Sequence, residues 1–162
     1  MTENETHPDD YEAPMGNFAA LPLLPDDVFL EGNISDVTYR TKVFNGAIQY
    51  VTDKNNQKVV DAMGNPIPQK EFAVTIELKN YSLSNGQPRR LWINAGKSRK
   101  DSSKLMTLLH SLQIPVNENT TPREIESALK STGGVKFMLE TVTKGGKQKQ
   151  AILLTKIRRT NG

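Results

Sequence analysis

Cysteine is absent from the 162 residues, and histidine occurs only at His7 and His110. The chain therefore offers no disulfide, no thiolate and at most two imidazoles, which argues against a zinc site or a cysteine nucleophile. No run of about 18 apolar residues occurs, so no membrane-spanning helix is expected. The first residues lack a basic segment followed by an apolar core, unlike a signal peptide. These absences favour a cytoplasmic location, in the host cytoplasm if the protein is viral.

The sequence also lacks the short motifs of common enzymes. Gly96-Lys97-Ser98 resembles the end of a phosphate-binding loop, but that motif requires glycine where the chain has Leu91. The adjacent acidic pairs Asp9-Asp10 and Asp26-Asp27 are expected in solvated turns, because neighbouring residues on a strand point to opposite faces. We therefore expect no catalysis, no metal ligands and no cofactor.

Basic residues are absent from the first 39 positions, which hold nine acidic residues. Residues 40–162 hold the other nine acidic residues and all 21 basic ones, a formal net charge of +12. Such a basic body suggests a polyanionic partner. Residues 1–24 are acidic, contain three prolines and show no sustained hydrophobic period, so a disordered N-terminal segment is expected there. The folded domain is then expected over residues 25–159.

Two-residue alternation of apolar and polar side chains predicts strands. In the first strand, Leu30 and Ile34 alternate with Phe29 and Glu31, and Gly32 suggests a bend or bulge. The predicted strands cover residues 28–44, 71–80, 88–95, 135–143 and 148–158.

The segment 45–68 lies between the first two of these strands. It begins with Asn45-Gly46, a strong signal for a tight turn, and contains two further turn-rich runs. We interpret it as an inserted hairpin arm with a flexible tip. No internal repeat is apparent in the chain.

Helical spacing of leucines predicts a helix over residues 102–112, with Asp101 or Ser102 as its N-cap. The run Thr121-Pro122-Arg123-Glu124 has the residue types of a capping box and predicts a second helix. The order is three strands, one or two helices and two strands. That order is typical of the oligonucleotide-binding (OB) fold, and the predicted class is all-β with minor α content: a five-stranded OB-like antiparallel barrel.

A protein that binds single-stranded nucleic acid needs cations for the phosphates and flat side chains for the unpaired bases. Trp92 and Arg90 have the parity opposite to the apolar residues of the third strand, so both are expected on its outward face. The alternative for Trp92 is a core position under the helix or the arm. Lys79 and Tyr81 share a parity on the second strand. The predicted site further includes Tyr39, Tyr50, Lys97, Arg99, Lys100, Lys144, Lys147 and Lys149.

The chain resembles the small single-stranded DNA-binding proteins of bacteriophage and mobile-element replication or recombination modules. The resemblance spans about residues 24–159 and is carried by residues 24–32, 34–37, 91–93 and 108–114. It implies an OB fold, coating of single strands and contacts with recombinases, helicases or nucleases. Bacterial single-stranded DNA-binding proteins typically carry a C-terminal acidic tail with an apolar tip. In this chain, by contrast, Arg158-Arg159 lie near the end and the acidic segment is N-terminal.

We therefore predict sequence-tolerant binding of single-stranded DNA in replication or recombination, without catalysis and without a membrane partner. Two alternatives stay open: the same barrel can serve as a protein-interaction or structural adaptor, or it can bind RNA. The acidic N-terminal segment is expected to compete with DNA or to recruit replication and recombination proteins. A strand at residues 47–52 can pair between subunits, so a homo-oligomer also stays open.

Overall fold

The computed structural model describes residues 22–97 and 103–160. The predicted site residues Arg99 and Lys100 and most of the acidic N-terminal segment lie outside the described residues, as do Asp101 and Ser102. The elements run in the order β1 (Leu30–Thr41), β2 (Val43–Phe44), β3 (Ala47–Ile48), β4 (Lys70–Ser82), β5 (Pro88–Gly96), α1 (Lys104–Ser111), α2 (Pro122–Thr132), β6 (Gly134–Phe137), β7 (Leu139–Lys144), β8 (Lys147–Ile152) and β9 (Arg158–Arg159).

One antiparallel sheet of five strands has the order β5-β4-β1-β6-β9. The central strand β1 pairs with β4 on one side, and its residues 30–33 pair with β6 on the other. The register between β1 and β4 shifts between Ile34 and Asp36, so Ser35 is an extra residue that forms a bulge. The described residues thus form a mainly β fold with a five-stranded antiparallel sheet and two helices, which confirms the predicted β-rich class with one or two helices.

The bulge is not at Gly32, where the sequence suggested one. A Cβ atom on Gly32 would lie 2.6 Å from the carbonyl oxygen of Glu77 and 2.7 Å from the side chain of Ile76. Glycine is needed there because the paired strand β4 lies so close to β1 that no room is left for a side chain.

One face of this sheet forms the core. Phe72, Val74 and Ile76 of β4 are fully buried, and the register places Val37 of β1 and Ile93 of β5 on the same side. The helices contribute Leu105, Leu108, Leu109, Ile125 and Leu129 to the same hydrophobic cluster. Each fully buried side chain of this kind stabilises the fold by about 1.5–3 kcal/mol, so this cluster fixes which face of the sheet stays outside.

The predicted closed barrel is not formed by the described residues. A break at Met138 separates β6 from β7, and β7 pairs with β8 in a hairpin that is a separate two-stranded sheet. At the break, Leu153 N–H, just after β8, donates to Met138 O at 3.0 Å and closes the base of the hairpin. The sheet is therefore open within the part of the chain that the structure describes.

Residues 22–24 lie between the β7–β8 hairpin and the start of β5. The side-chain amide of Gln150 donates to the carbonyl of Leu24 at 2.7 Å and accepts from its N–H at 3.0 Å. Arg89 donates to the carbonyl of Pro22 at 2.6 Å. Leu24 is buried in the core, so the folded body extends further toward the N-terminus than the predicted boundary at residue 25.

The arm between β1 and β4 consists of three consecutive tight turns, not one hairpin. The first is the Asn45-Gly46 turn between β2 and β3, with positive φ at both residues. In the other two, Asp53 and Asp61 each accept hydrogen bonds on one carboxylate oxygen from the N–H groups two and four residues later. The two aspartate turns thus repeat after eight residues, although no repeat was apparent in the sequence.

Two rings of backbone hydrogen bonds join the bases of these three turns. In one ring, Val59 N–H donates to Val51, Ile67 N–H to Val59 and Val51 N–H to Ile67, at 2.8–3.0 Å. The second ring joins Lys42, Gln49 and Gln69 in the same way, at 2.7–2.9 Å. The rings satisfy backbone groups that the short strands leave unpaired, and they give the arm a defined shape.

Both helices begin at a side-chain cap. In α1, the N-cap is Ser103, whose hydroxyl accepts from Met106 N–H at 3.1 Å, so the expected cap at Asp101 or Ser102 is wrong. In α2, the predicted capping box is confirmed: Glu124 accepts from Thr121 N–H at 2.9 Å, and Thr121 Oγ1 accepts from Glu124 N–H at 3.2 Å. The backbone and side-chain hydrogen bonds with Thr121 lower the pKa of Glu124.

We predict that Thr121→Ala lowers the free energy of unfolding by about 1 kcal/mol at neutral pH, as measured by urea denaturation, because one cap is lost. The folded-state pKa of Glu124 is lowered, so its contribution is present above its unfolded-state pKa and is lost as pH falls through the folded-state value. The Ala variant keeps the backbone hydrogen bond from residue 121 to Glu124, so only the part of the difference that comes from the Thr121 side-chain hydrogen bond should shrink in acid. Ser127→Ala, on the exposed part of the same helix, is the control. An equal loss in both variants would contradict the prediction.

Candidate nucleic-acid interface

The outer face is the side of the five-stranded sheet opposite the core, and Trp92 is its most exposed aromatic side chain. Trp92 is 61% exposed. It is in register with Thr75 of β4, which is in register with Asp36 of β1. Trp92 therefore lies on the outward face, as its parity predicted, and not under the helix or the arm.

Charges of both signs alternate across the outer face. Its strand residues include the acidic Glu31, Asp36, Glu71 and Glu77 and the basic Arg40, Lys79, Arg90, Lys136 and Arg158. The recorded ion pairs among the described residues all lie here: Arg40–Glu71 at 3.0 Å, Arg90–Glu77 at 3.0 Å and Lys79–Glu31 at 3.7 Å. The face is therefore close to neutral, although the body as a whole is basic.

Two predicted cations, Lys79 and Arg90, reach the outer face with Trp92. Each has a glutamate beside it, and in both pairs the side chains are at least one-third exposed. Exposed pairs of this kind contribute about 0–1 kcal/mol, so an incoming phosphate can take the place of the carboxylate.

Tyr81 does not share the outer face with Lys79, although the two residues have the same parity. Asn80, which lies between them, has φ of +71°, and the register between β4 and β5 shifts between Glu77 and Ser82. The alternation of side chains therefore ends at Lys79. Tyr81 is half-buried and packs against the hydrophobic core.

A groove of about 730 Å³, here called the arm groove, separates the arm from the body. It brings together two predicted site residues, Tyr39 and Lys97. Tyr39 is half-buried, with its ring centroid 4.8 Å from that of Phe72. The full lining is Tyr39, Val51, Thr52, Ile67, Pro68, Gln69, Lys70, Gly96 and Lys97.

Lys70 is the second cation of the arm groove and was not among the predicted site residues. Its ammonium donates to Thr41 Oγ1 at 3.0 Å. Lys70 is the first residue of β4 and reaches the groove only because the arm folds back across it. No local signal in the sequence indicates that placement.

Tyr50 lies on the arm but is not part of the arm groove lining. The ammonium of Lys58 lies 4.5 Å from the centroid of its ring. A cation over an aromatic face at this distance contributes about 0.5–1 kcal/mol at an exposed site. The ring of Tyr50 thus has a cation partner on the arm, outside the lining of the arm groove.

Lys144, Lys147 and Lys149 share one face of the β7–β8 hairpin. Lys144 is directly opposite Lys147, and Lys149 is opposite Val142. Among the described residues no carboxylate forms an ion pair with these three lysines. We call this surface the basic hairpin face. Like charges directly opposite each other repel, so an anion bound there would relieve that repulsion.

The turn of this hairpin is tight. Gly145 and Gly146 have φ of +57° and +78°, as a two-residue hairpin turn requires. The two glycines thus form the turn itself, and Lys144 and Lys147 pair at its ends.

Phe29, at the opposite end of the sheet from the arm groove, was also not among the predicted site residues. Phe29 is 51% exposed, and the ammonium of Lys136 lies 5.8 Å from its ring centroid. Lys136 is in register with Glu31 of the outer face, which places Phe29 at the same edge. In the sequence, Phe29 precedes the apolar Leu30 of the first strand and has the opposite parity, and this alternation indicates an outward position for Phe29.

No protein-family model matches the chain, and no curated protein sequence matches it. The resemblance to phage and mobile-element single-stranded DNA-binding proteins thus stays a prediction. Over residues 22–97 and 103–160, no three histidine or acidic side chains are grouped to hold a metal ion. In the same residues, neither helix has the length and apolarity to cross a membrane.

Proposed function

We propose that the protein binds single-stranded DNA with little sequence preference, through the outer face of an OB-type sheet. The observation that carries the proposal is the exposed ring of Trp92 on an open sheet face. Stacking of an unpaired base on such a ring contributes about 1–3 kcal/mol and tolerates any base. The order β5-β4-β1-β6 corresponds to the third, second, first and fourth strands of an OB fold, which supports this assignment.

The phosphates have cationic partners on both sides of Trp92. Arg90 is two residues away on the same strand, and Gly96, at the edge of the arm groove with Lys97, is about 13 Å away along β5. The groove also contains Lys70. These cations suit contacts to the backbone of the strand, which carry no sequence information. Coating of single strands in replication or recombination is the role that fits this pattern best.

The basic hairpin face is the second place where phosphate can bind. Its three lysines are exposed and make no ion pair within the described residues, in contrast to the paired cations of the outer face. We therefore assign the outer face mainly to stacking and the hairpin mainly to phosphate contact.

We predict that fluorescence anisotropy of a labelled oligo-dT of about 30 nucleotides, roughly twice the largest OB-fold site, detects salt-sensitive binding that exceeds binding to the matched duplex. Trp92→Ala should weaken binding to the single strand about 5- to 150-fold, because one stacked base is lost. Phe44→Ala, which removes an exposed ring from the arm, is the matched control. Equal binding by all three proteins, or equal binding to duplex, would refute the proposal.

A second prediction concerns the ion pair beside Trp92. Glu77→Gln should tighten binding to oligo-dT up to about 5-fold at low salt, because Arg90 is released for phosphate. The slope of log K against log salt should steepen by about 0.7 if one more phosphate is neutralised. Glu118→Gln makes the same charge change in the exposed loop between the helices. An identical gain in both variants would mean that net charge alone acts and that Arg90 has no particular role.

A protein-interaction adaptor is the second candidate, and one observation favours it. Half of the exposed large hydrophobic side chains among the described residues are on the arm: Val43, Phe44, Ile48, Val60 and Met63. Together with the near-neutral outer face, these side chains suit contact with a partner protein better than contact with a phosphate backbone. A salt slope near zero against DNA would favour the adaptor. Competition between matched DNA and RNA oligonucleotides would separate DNA binding from RNA binding.

A further inference from the structure

We infer that a hollow at the far end of the outer face is a second base-binding position, formed around Phe29, Lys79 and Tyr81. The hollow has a volume of about 320 Å³ and is lined by Val28, Phe29, Leu30, Glu31, Lys79, Asn80 and Tyr81. The inference rests on the proposed binding of single-stranded DNA. It adds a site at the opposite end of the sheet from the arm groove, and the ligand is one unpaired nucleobase with its phosphate.

The walls of the hollow have the chemistry that a base requires. It contains two aromatic residues, and Phe29 is about half exposed, so its ring is accessible without displacing core residues. At about 30 Å³ per molecule, the hollow holds roughly ten water molecules, which is enough room for a planar base. Poorly held water that leaves an aromatic surface for bulk solvent favours the incoming ring.

The backbone at Asn80 brings Tyr81 to this position. The φ of +71° at Asn80 interrupts the alternation of β4, so Tyr81 leaves the outer face after Lys79 and lines the hollow instead. Asparagine is one of the few residue types that adopt this conformation readily. The shared parity of Lys79 and Tyr81 predicted that both lie on the outer face, and Tyr81 does not. The two residues nevertheless line the same hollow.

The charge around the hollow is positive. Lys79 lines it, and the ammonium of Lys136 lies against the ring of Phe29, whereas Glu31 is the one carboxylate among the lining residues. Lys79 and Glu31 are 3.7 Å apart and both are more than half exposed, so a phosphate can replace the glutamate at Lys79. A base in the hollow would therefore have two ammonium groups near its phosphate.

The hollow extends the proposed path of the DNA strand. From the strand spacing and the rise per residue, Phe29 and Trp92 are about 20 Å apart across the outer face. A strand stacked on Trp92 needs several nucleotides to reach Phe29. The two aromatic positions then define a footprint in which affinity increases with oligonucleotide length until both are occupied.

The test places a fluorescent reporter in the hollow. In a Trp92→Phe background, which has no other tryptophan, Phe29→Trp is titrated with oligo-dT of about 16 nucleotides, the upper end of OB-fold site sizes. Binding is followed in parallel by the anisotropy of a labelled oligonucleotide. Phe44→Trp in the same background is the control, because Phe44, like Phe29, is more than half exposed but lies on the arm. Both positions are at the surface, so neither change should prevent folding.

We expect a saturable loss of emission at position 29 in step with the anisotropy, and no loss at position 44. In the otherwise unchanged protein, Phe29→Ala should weaken binding about 5-fold or more. Binding by anisotropy without a loss of emission at position 29 would overturn the hollow and leave the proposed function standing. Equal losses at both positions would also overturn it, because they indicate unspecific coating. Absence of binding by the wild-type chain would refute the proposed function itself.

Discussion

The pairing of β1 with β4 is the constraint on which the other features depend. Side chains alternate along both strands, so this register decides at once which residues enter the core and which remain outside. A slip of one residue in this register would bring Thr75 into the core in place of Val74. Thr75 is the residue of β4 in register with Trp92, so the outer face beside Trp92 would change as well. Gly32 permits the close approach of the two strands. The bulge at Ser35 then shifts the register of β1 on β4 by one residue beyond this point. The exposure of Trp92 is a consequence of that register.

In the proposed function, the charge pattern of the molecule assigns base stacking to the outer face and phosphate contact to the basic hairpin face. On the outer face, Arg40, Lys79 and Arg90 form ion pairs with carboxylates, so the exposed rings of Trp92 and Phe29 are its distinctive groups. On the basic hairpin face the lysines make no such pairs within the described residues. A flexible polyanion can contact both surfaces, because residues 22–24 hold the hairpin close to the start of β5.

Local patterns in the sequence predicted the features that depend only on residues close together in the chain. Alternation of apolar and polar side chains predicted a strand over residues 71–80, which lies within β4. Parity placed Trp92 on the outward face, and Thr121 with Glu124 identified the start of a helix. Sequence reasoning failed where distant segments meet. The β7–β8 hairpin is held by hydrogen bonds between Gln150 and Leu24, which are 126 residues apart. The position of Tyr81 depends on one positive φ angle, and the arm groove exists only because two rings of backbone bonds fold the arm.

The most direct test of the central claim is to locate the bound strand on the protein. Oligo-dT that contains a photoreactive pyrimidine would be cross-linked to the native protein, and the modified residues identified by mass spectrometry. We predict that Trp92 is the principal cross-linked residue, because a base is stacked directly on its ring. Cross-links confined to the basic hairpin face, with Trp92 unmodified in a protein that still binds the oligonucleotide, would contradict the claim that the outer face is the stacking surface.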